Sequence, residues 1–159
     1  GASTFPTGHV IQTKYNIAAS SDVYSTTNGS WNAYVTNLAL SITRTAGTKF
    51  MYMVFGGKMD NVNSSRIFKI DVVRTTGATF NSSSGLLRFG HGTYGTSTIG
   101  EGNANEDNTD PQSLVIVDTT SVSGDYTYAP VFTGTDGGGY YFNPSDGGPQ
   151  TAIGIEFIG

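Results

Sequence analysis

The chain has 159 residues, which is enough for one domain with a substantial core and too few for two ordinary ones. Charged residues make up 13% of the sequence and 22 residues are glycine, so long helices rich in Ala, Glu, Lys and Leu are not expected and an all-β fold is predicted. The formal net charge of −4, with eight Lys and Arg residues, argues against nucleic acid and anionic membranes as partners. No apolar stretch approaches the ~20 residues that a membrane-spanning helix needs, and the absence of cysteine excludes disulfides and thiolate metal sites.

The first third of the chain contains strands of alternating pattern. Residues 1–7 are predicted to be an N-terminal extension, and residues 8–159 a single domain that is complete at Gly159. Three strands are predicted before residue 45: Gly8–Tyr15, a short edge strand in Ser20–Thr27 followed by a hairpin turn at Asn28-Gly29, and a half-buried strand with Leu38, Leu40 and Ile42 on one face.

The stretch Lys49–Phe55 is predicted to be the central strand of a β-sandwich. Successive side chains of a strand point to opposite faces. Phe50, Tyr52 and Val54 therefore share one face, and Met51, Met53 and Phe55 share the other. Because both faces are apolar, each should be covered by a second sheet, another segment or another subunit. We take Met51, Met53 and Phe55 as a candidate subunit interface, and expect Gly56-Gly57 to end the strand before a polar loop over Lys58–Ser65.

The second half of the chain continues the β pattern. Arg66–Arg74 should turn Phe68, Ile70 and Val72 inward and Lys69 and Asp71 to water, and Thr75–Ser84 is rich in turn residues. Glu101–Pro111 is predicted to be an exposed acidic loop, and Ser113–Asp118 a buried strand. The last strand, Thr151–Ile158, has Ile153, Ile155 and Phe157 on one face. Its other face has Ala152, Gly154 and Glu156, of which Ala152 and Gly154 are small enough for a neighbour to pack close by.

In total, about eight to ten strands are expected, with turn signals every ~8–15 residues and no helical period. No internal repeat is present, which disfavours a propeller or a solenoid. The fold class predicted from the residues is an all-β antiparallel sandwich of the jelly-roll kind.

Four segments carry a resemblance to a known group of domains. They are Gly8–Gln12, Leu38–Thr43 and the strand that begins at Thr48-Lys49-Phe50, together with the ending Ala152–Phe157. With them the chain resembles virion domains of tailed phages, especially marine and cyanobacterial phages. The chain departs from that pattern at Gly154, which interrupts the usual Ala-Ile-Glu run, and in its acidic loop.

This resemblance implies a tail-fibre or capsid-decoration domain located in the virion. It also implies a jelly roll similar to those of complement C1q and tumour necrosis factor, which assemble as trimers. The expected partners are then copies of the chain itself, other virion proteins and a host-surface glycan.

No catalytic constellation is evident in the sequence, and no cofactor is expected. His9 and His91 would have to converge with carboxylates to bind a transition metal, and no Gly-x-Ser-x-Gly elbow supports a serine hydrolase. Glu101, Glu106, Asp107 and Asp110 are weak candidates for Ca²⁺ ligands. Their spacing matches no calcium loop, and a solvated acidic loop is the commoner explanation.

Aromatic side chains are the better candidates for ligand binding, since sugars stack on exposed Trp and Tyr rings. The opposing interpretation is that most of these rings lie in the core or in a subunit interface. The candidates are Trp31, Tyr94, Tyr126, Tyr128, Tyr140 and Tyr141, with Tyr94 and Tyr140 first because they adjoin glycine-rich loops.

Three functions of different classes remain open at this point. The leading hypothesis is a non-enzymatic, homotrimeric virion protein, and the second is a carbohydrate-binding module of a secreted enzyme. A tail esterase or glycosidase ranks lowest. Oligomeric state separates the first two, because a stable trimer favours the virion protein and a monomer that binds polysaccharide favours the module.

Overall fold

The computed structural model describes residues 6–18, 24–26, 33–61, 66–90, 100–104, 110–134, 140–142 and 149–159. Side-chain surroundings are described for residues 6–18, 33–55, 69–90, 113–132 and 149–159. These residues form twelve strands and one 3₁₀ turn at Thr36–Leu38. The strands are β1 (Val10–Ala18), β2 (Tyr24–Thr26), β3 (Ala33–Tyr34), β4 (Leu40–Arg44), β5 (Thr48–Asn61), β6 (Arg66–Thr76), β7 (Leu87–Arg88), β8 (Gly100–Ala104), β9 (Asp110–Asp118), β10 (Gly124–Gly134), β11 (Tyr140–Phe142) and β12 (Gln150–Ile158).

The strands form two antiparallel sheets that face each other. The first sheet has the order β1-β12-β5-β9, and β11 and β2 extend it beside the far end of β5. The second sheet has the order β4-β10-β6-β8, with β3 beside β10 and β7 beside β6. The chain crosses between the sheets from β2 to β3, from β4 to β5, from β5 to β6, from β8 to β9, from β9 to β10 and from β10 to β11. This is the jelly-roll arrangement, so the predicted fold class is confirmed.

The predicted central strand is central in the structure. It lies between β12 and β9, and its side chains Phe50, Tyr52 and Val54 are buried between the sheets. The Phe50 ring lies 4.5 Å from the Tyr128 ring of the opposite sheet, measured between centroids. Leu38, Leu40 and Ile42 are buried in the same core as predicted, but only Leu40 and Ile42 lie on a strand face, because Leu38 belongs to the 3₁₀ turn before β4.

The prediction that Gly56-Gly57 ends the central strand was wrong. β5 continues to Asn61, with an irregularity in its pairing to β9 between Val54 and Gly57. Residues 59–61 also pair with β11. Gly57 pairs with Gln112 of β9, so pairing with a neighbouring strand overrides the low strand propensity of glycine. Only residues 62–65 of the expected loop lie outside the described residues.

One face of β6 was predicted to be exposed to water, but in the structure part of this outer face is covered. Residues 77–86, here called the strap, fold back over this face, and Phe80 of the strap packs at 5.0 Å between ring centroids from Tyr34. Asp71, predicted to point to water, is fully buried. It accepts hydrogen bonds from Arg88 Nε at 3.1 Å and from the Gly90 amide at 2.6 Å. A local alternation pattern does not reveal cover that comes from a later segment.

Two further strand predictions need correction. The expected acidic loop Glu101–Pro111 begins and ends in strands, because residues 101–104 belong to β8 and residues 110–111 to β9. The strand Ser113–Asp118 is buried on one face only: Val115 is 50% exposed and Val117 43% exposed. The other face of β9 contributes Leu114, Ile116 and Asp118 to the interior.

Candidate functional site

The outer face of the first sheet is apolar across four strands. Cross-strand pairing places Tyr15, Ile153, Met53 and Val115 in one row. The next row contains Thr13, Ile155, Met51 and Val117. We call this surface the open face; its members are Val10, Thr13, Tyr15, Ile17, Lys49, Met51, Met53, Phe55, Val115, Val117, Thr151, Ile153, Ile155 and Phe157.

Many of the apolar side chains on the open face are accessible to solvent. Tyr15 is 76% exposed, Ile17 60% and Phe55 41%. Met51 and Met53 are half-buried by their cross-strand neighbours. The expectation that both faces of β5 are covered therefore holds for the inner face, where the second sheet provides the cover. Within the described part of the chain, nothing comparable to the strap lies over the open face.

The open face has little charge and considerable extent. Of its described members none is a carboxylate and one, Lys49, is cationic, although the chain has twelve Asp and Glu residues. Four strands at about 4.8 Å spacing and eight paired residues of β12 at about 3.3 Å give on the order of 500 Å² in plan. Soluble monomers rarely expose contiguous apolar patches larger than a few hundred Å².

A buried cluster of charged side chains joins the two sheets at one end of the sandwich. The Asp118 carboxylate of β9 accepts hydrogen bonds from Arg44 Nη1 at 2.8 Å, Arg74 Nη1 at 2.5 Å and the Tyr128 hydroxyl at 2.7 Å. Its other oxygen accepts from the amide and hydroxyl of Thr120 at 2.9 and 2.6 Å. Two guanidinium groups therefore share one carboxylate, and the role of this cluster is to hold the sheets together.

The surroundings of Asp118 change its acidity. Burial raises the pKa of the Asp118 carboxyl, but the hydrogen bonds from Thr120 and Tyr128 and the charge of Arg74 outweigh burial, so the pKa lies below its ordinary value. Burial and the neighbouring Asp118 carboxylate raise the pKa of Tyr128. Asp118 is therefore ionised, and Tyr128 protonated, at neutral pH.

The lowered pKa predicts acid sensitivity. A carboxyl with a lower pKa in the folded than in the unfolded chain contributes stability above its unfolded pKa of about 3.9, and the contribution is lost as pH falls through the folded pKa. We expect wild type to lose stability as the pH falls below about 4, and Asp118→Asn to lose less over the same pH range. Urea unfolding monitored by circular dichroism at several pH values measures both slopes. Parallel slopes for the two proteins would contradict the prediction.

A second, smaller surface feature is a cleft of about 570 Å³ where β1 begins and β12 ends. The turn between β4 and β5 forms its other wall, with Ala46 and Gly47. Val10 lines the cleft and also belongs to the open face, so the two surfaces are continuous. His9 is the one ionisable side chain among the residues that line the cleft, which gives it no acid and base pair for catalysis.

Of the predicted site residues, some lie together on the open face, some are buried and some are not described by the structure. Met51, Met53 and Phe55 lie together on the open face, and their role as a subunit interface stays a prediction. Tyr128 is fully buried in the Asp118 cluster and Tyr126 lies under Arg74, so neither stands free as a sugar platform. Trp31, Tyr94, Glu106, Asp107 and His91 lie outside the described residues. For Tyr140, Tyr141, Glu101 and Asp110 the strand is described but the side chain is not.

Sequence reasoning missed the β1 and β9 residues of the open face and did not predict the buried charged cluster. Tyr15, Ile17, Val115 and Val117 were not nominated for the interface, although the alternating pattern around Tyr15 was noted. The buried cluster had a readable signal, since Arg44 continues the apolar positions of Leu40 and Ile42. Within the described residues no group of three His, Asp or Glu could hold a metal ion, and no helix is long and apolar enough to cross a membrane.

Comparisons with known proteins found structural similarity only. No protein-family model matches the sequence, and no curated protein matches it. The subviral particle protein VP2 of infectious bursal disease virus is 8% identical with a TM-score of 0.47, over 94% of this chain and 38% of that chain. The CBM22-1 xylan-binding domain of a Paenibacillus barcinonensis xylanase is 11% identical with a TM-score of 0.36, over 98% of both chains.

A third similar structure is the CBM22-1 and GH10 modules of a Clostridium thermocellum xylanase, 10% identical with a TM-score of 0.41, over 92% of this chain and 25% of that chain. The chain thus spans less than two-fifths of the length of the viral protein and about a quarter of the xylanase chain. None of these similarities assigns an activity or a partner to this chain.

Proposed function

We propose that the chain is a non-enzymatic structural component of a virion that works by self-assembly through the open face. In its finer form the proposal is a homotrimeric tail-fibre or capsid-decoration domain of a tailed phage, of the C1q and tumour necrosis factor type. It includes contact with other virion proteins and with a host-surface glycan. The observation that carries the proposal is the apolar, carboxylate-free open face.

The area of this face supports association with a partner. Stable protein interfaces remove about 800 Å² of accessible surface from each partner. A corrugated sheet face of on the order of 500 Å² in plan offers an accessible area of that class. Exposed apolar side chains contribute about 25 cal/mol per Å² when they are removed from water, which gives association a large driving force.

The cover over the outer face of the second sheet supports the same proposal. There Phe80 of the strap packs on Val73, Ala129 and Val131, so these outward apolar side chains are covered within one protomer. On the first sheet, Val115 and Val117 remain exposed. A chain that covers apolar side chains on one sheet and leaves those on the other sheet exposed has a surface suited to another molecule.

A second copy suits this surface better than a charged partner. The open face offers one cation, Lys49, and no described carboxylate with which to recognise charged groups. The open face therefore suits a partner surface that is itself apolar, such as an identical face or another apolar part of the same chain. The closed symmetry of most homo-oligomers then limits growth to a small assembly.

The experiment is to measure the mass in solution of wild type and of Met53→Glu. Light scattering after size exclusion is expected to give a trimer for wild type. Met53→Glu is expected to be a folded monomer, because the new carboxylate would be buried without a partner in the interface. Thr79→Glu, an exposed position on the strap, is the matched control and should keep the wild-type mass.

The outcome decides between functions. A wild type that remains monomeric at about 100 μM, far above the micromolar dissociation constant of a weak specific complex, would contradict assembly through this face. A monomer that binds an insoluble polysaccharide would favour the carbohydrate-binding module instead. The exposed ring of Tyr15 is the structural feature that favours that second candidate.

A further inference from the structure

We infer that β1, through Tyr15 and Ile17, supplies the anchoring contact to the second copy on the open face. This inference rests on the proposed function and adds residues that the central strand does not contain. Three properties of β1 carry it: the exposure of its outward side chains, the polar character of its inward side, and its fixed position on the sandwich.

Exposure is greatest on β1. Tyr15 is 76% and Ile17 60% exposed, whereas Met51 and Met53 are half-buried by the strands on either side of them. A partner therefore removes more apolar surface from water at Tyr15 than at the central methionines. Tyrosine is enriched among the residues that dominate interface energetics, because its rigid ring buries a large area at a low cost in conformational entropy.

The fold of one protomer does not account for these apolar side chains. The inward positions of β1 are polar, with Gln12, Lys14 and Asn16 opposite Glu156, Gly154 and Ala152, and only Ala18 joins the core. Tyr15 and Ile17 point away from the core. A strand at the edge of a sheet is usually protected from association by charged or polar outward residues, and β1 has the opposite composition on its outward side.

The position of β1 is fixed by side-chain hydrogen bonds to β4 and to the 3₁₀ turn before it. Asn16 Nδ2 donates to the carbonyl of Asn37 at 2.7 Å, and Gln12 Nε2 donates to the carbonyl of Thr43 at 2.9 Å. Gln12 also donates to the buried Glu156 carboxylate. The ridge formed by Tyr15 and Ile17 is therefore held in place before a partner arrives, which lowers the entropic cost of association.

The test measures association and folding separately. In Tyr15→Ala and Ile17→Ala, we expect the association constant from sedimentation equilibrium to fall at least about tenfold, the effect of roughly 1.4 kcal/mol at an interface anchor. Circular dichroism of the variants at a concentration where wild type is dissociated should be unchanged. Thr13→Ala, on the same strand and the same face, is the control and should stay within about twofold of wild type.

Each result supports or overturns the inference. If wild type assembles and Met53→Glu is a monomer, but Tyr15→Ala and Ile17→Ala associate like Thr13→Ala, the open face is the interface and β1 is not its anchor. If wild type does not assemble, the proposed function and this inference both fail. Unfolding of the isolated Tyr15→Ala protomer would assign Tyr15 to the fold instead and would also overturn the inference.

Discussion

Asp118→Asn is expected to lower the free energy of unfolding by about 3–5 kcal/mol, since breaking a buried ion pair leaves uncompensated charge in the interior. Arg44 and Arg74 both depend on this carboxylate, and the Arg44 side chain is completely buried. The uncharged amide cannot balance either guanidinium group, and its NH₂ group cannot accept their hydrogen bonds. Asn has the size of Asp, so the effect reports on charge and not on packing.

The measurement is urea unfolding at pH 7 in the Met53→Glu background, so that association does not contribute to the apparent stability. Asp125→Asn is the matched control, because Asp125 is exposed and its carboxylate accepts one side-chain hydrogen bond, from Thr43. A loss of less than about 1 kcal/mol is expected there, as for an ordinary surface substitution. An equal loss of unfolding free energy in Asp118→Asn and Asp125→Asn would contradict the prediction, because the buried cluster would then contribute no more than an exposed hydrogen bond.

A combined variant separates the cost of breaking the cluster from the value of having it. Arg44→Met, Arg74→Met, Asp118→Leu and Tyr128→Phe together replace the cluster by apolar side chains of similar volume. Such replacements are often neutral or stabilising when the shape is kept. We therefore expect this variant to be more stable than Asp118→Asn alone. If the combined variant is less stable than Asp118→Asn, the intact cluster contributes net stability to the fold. The loss in Asp118→Asn would then not come only from leaving the two arginines without a carboxylate.

Gly154→Val is expected to cost about 3 kcal/mol, the upper range for overpacking a filled core. A Cβ atom at this position would lie 2.5 Å from Phe50 Cζ and 3.3 Å from Leu40 Cδ1. The Phe50 ring has little room to move away, because the Tyr128 ring lies 4.5 Å beyond it. The sequence predicted this close approach from the small residues on one face of β12, and the structure identifies Phe50 as the neighbour.

The same urea experiment tests this prediction. Thr151→Val is the matched control on β12, because its side chain points to the open face and the new methyl group meets no core atom. Phe50→Leu should reduce the loss caused by Gly154→Val when the two are combined, since the smaller side chain frees space next to the new methyl groups. If the stability losses of Gly154→Val and Phe50→Leu simply add in the double variant, the contact between these residues does not cause the loss in Gly154→Val.

Several features of this protein follow from its sequence alone. Low charge, many glycines and the alternation of apolar residues predict an all-β sandwich, and the run Phe50–Phe55 marks its central strand because both of its faces are apolar. These patterns are local: they depend on residues two positions apart in an extended chain. The common burial of Leu40 and Ile42 was predictable for the same reason.

For the last strand, only the tertiary structure decided which face points inward. In β12 the face with Ile153 and Ile155 points outward, while Gly154 and Glu156 point to the core. The Phe50 ring fills the space over Gly154, and the Thr45 amide and Thr48 hydroxyl donate to the Glu156 carboxylate, so this face needs no large apolar side chain. The volume comes from Phe50 of the neighbouring strand β5, and the hydrogen-bond donors come from the turn before β5 and from its first residue. A pattern within one strand contains neither.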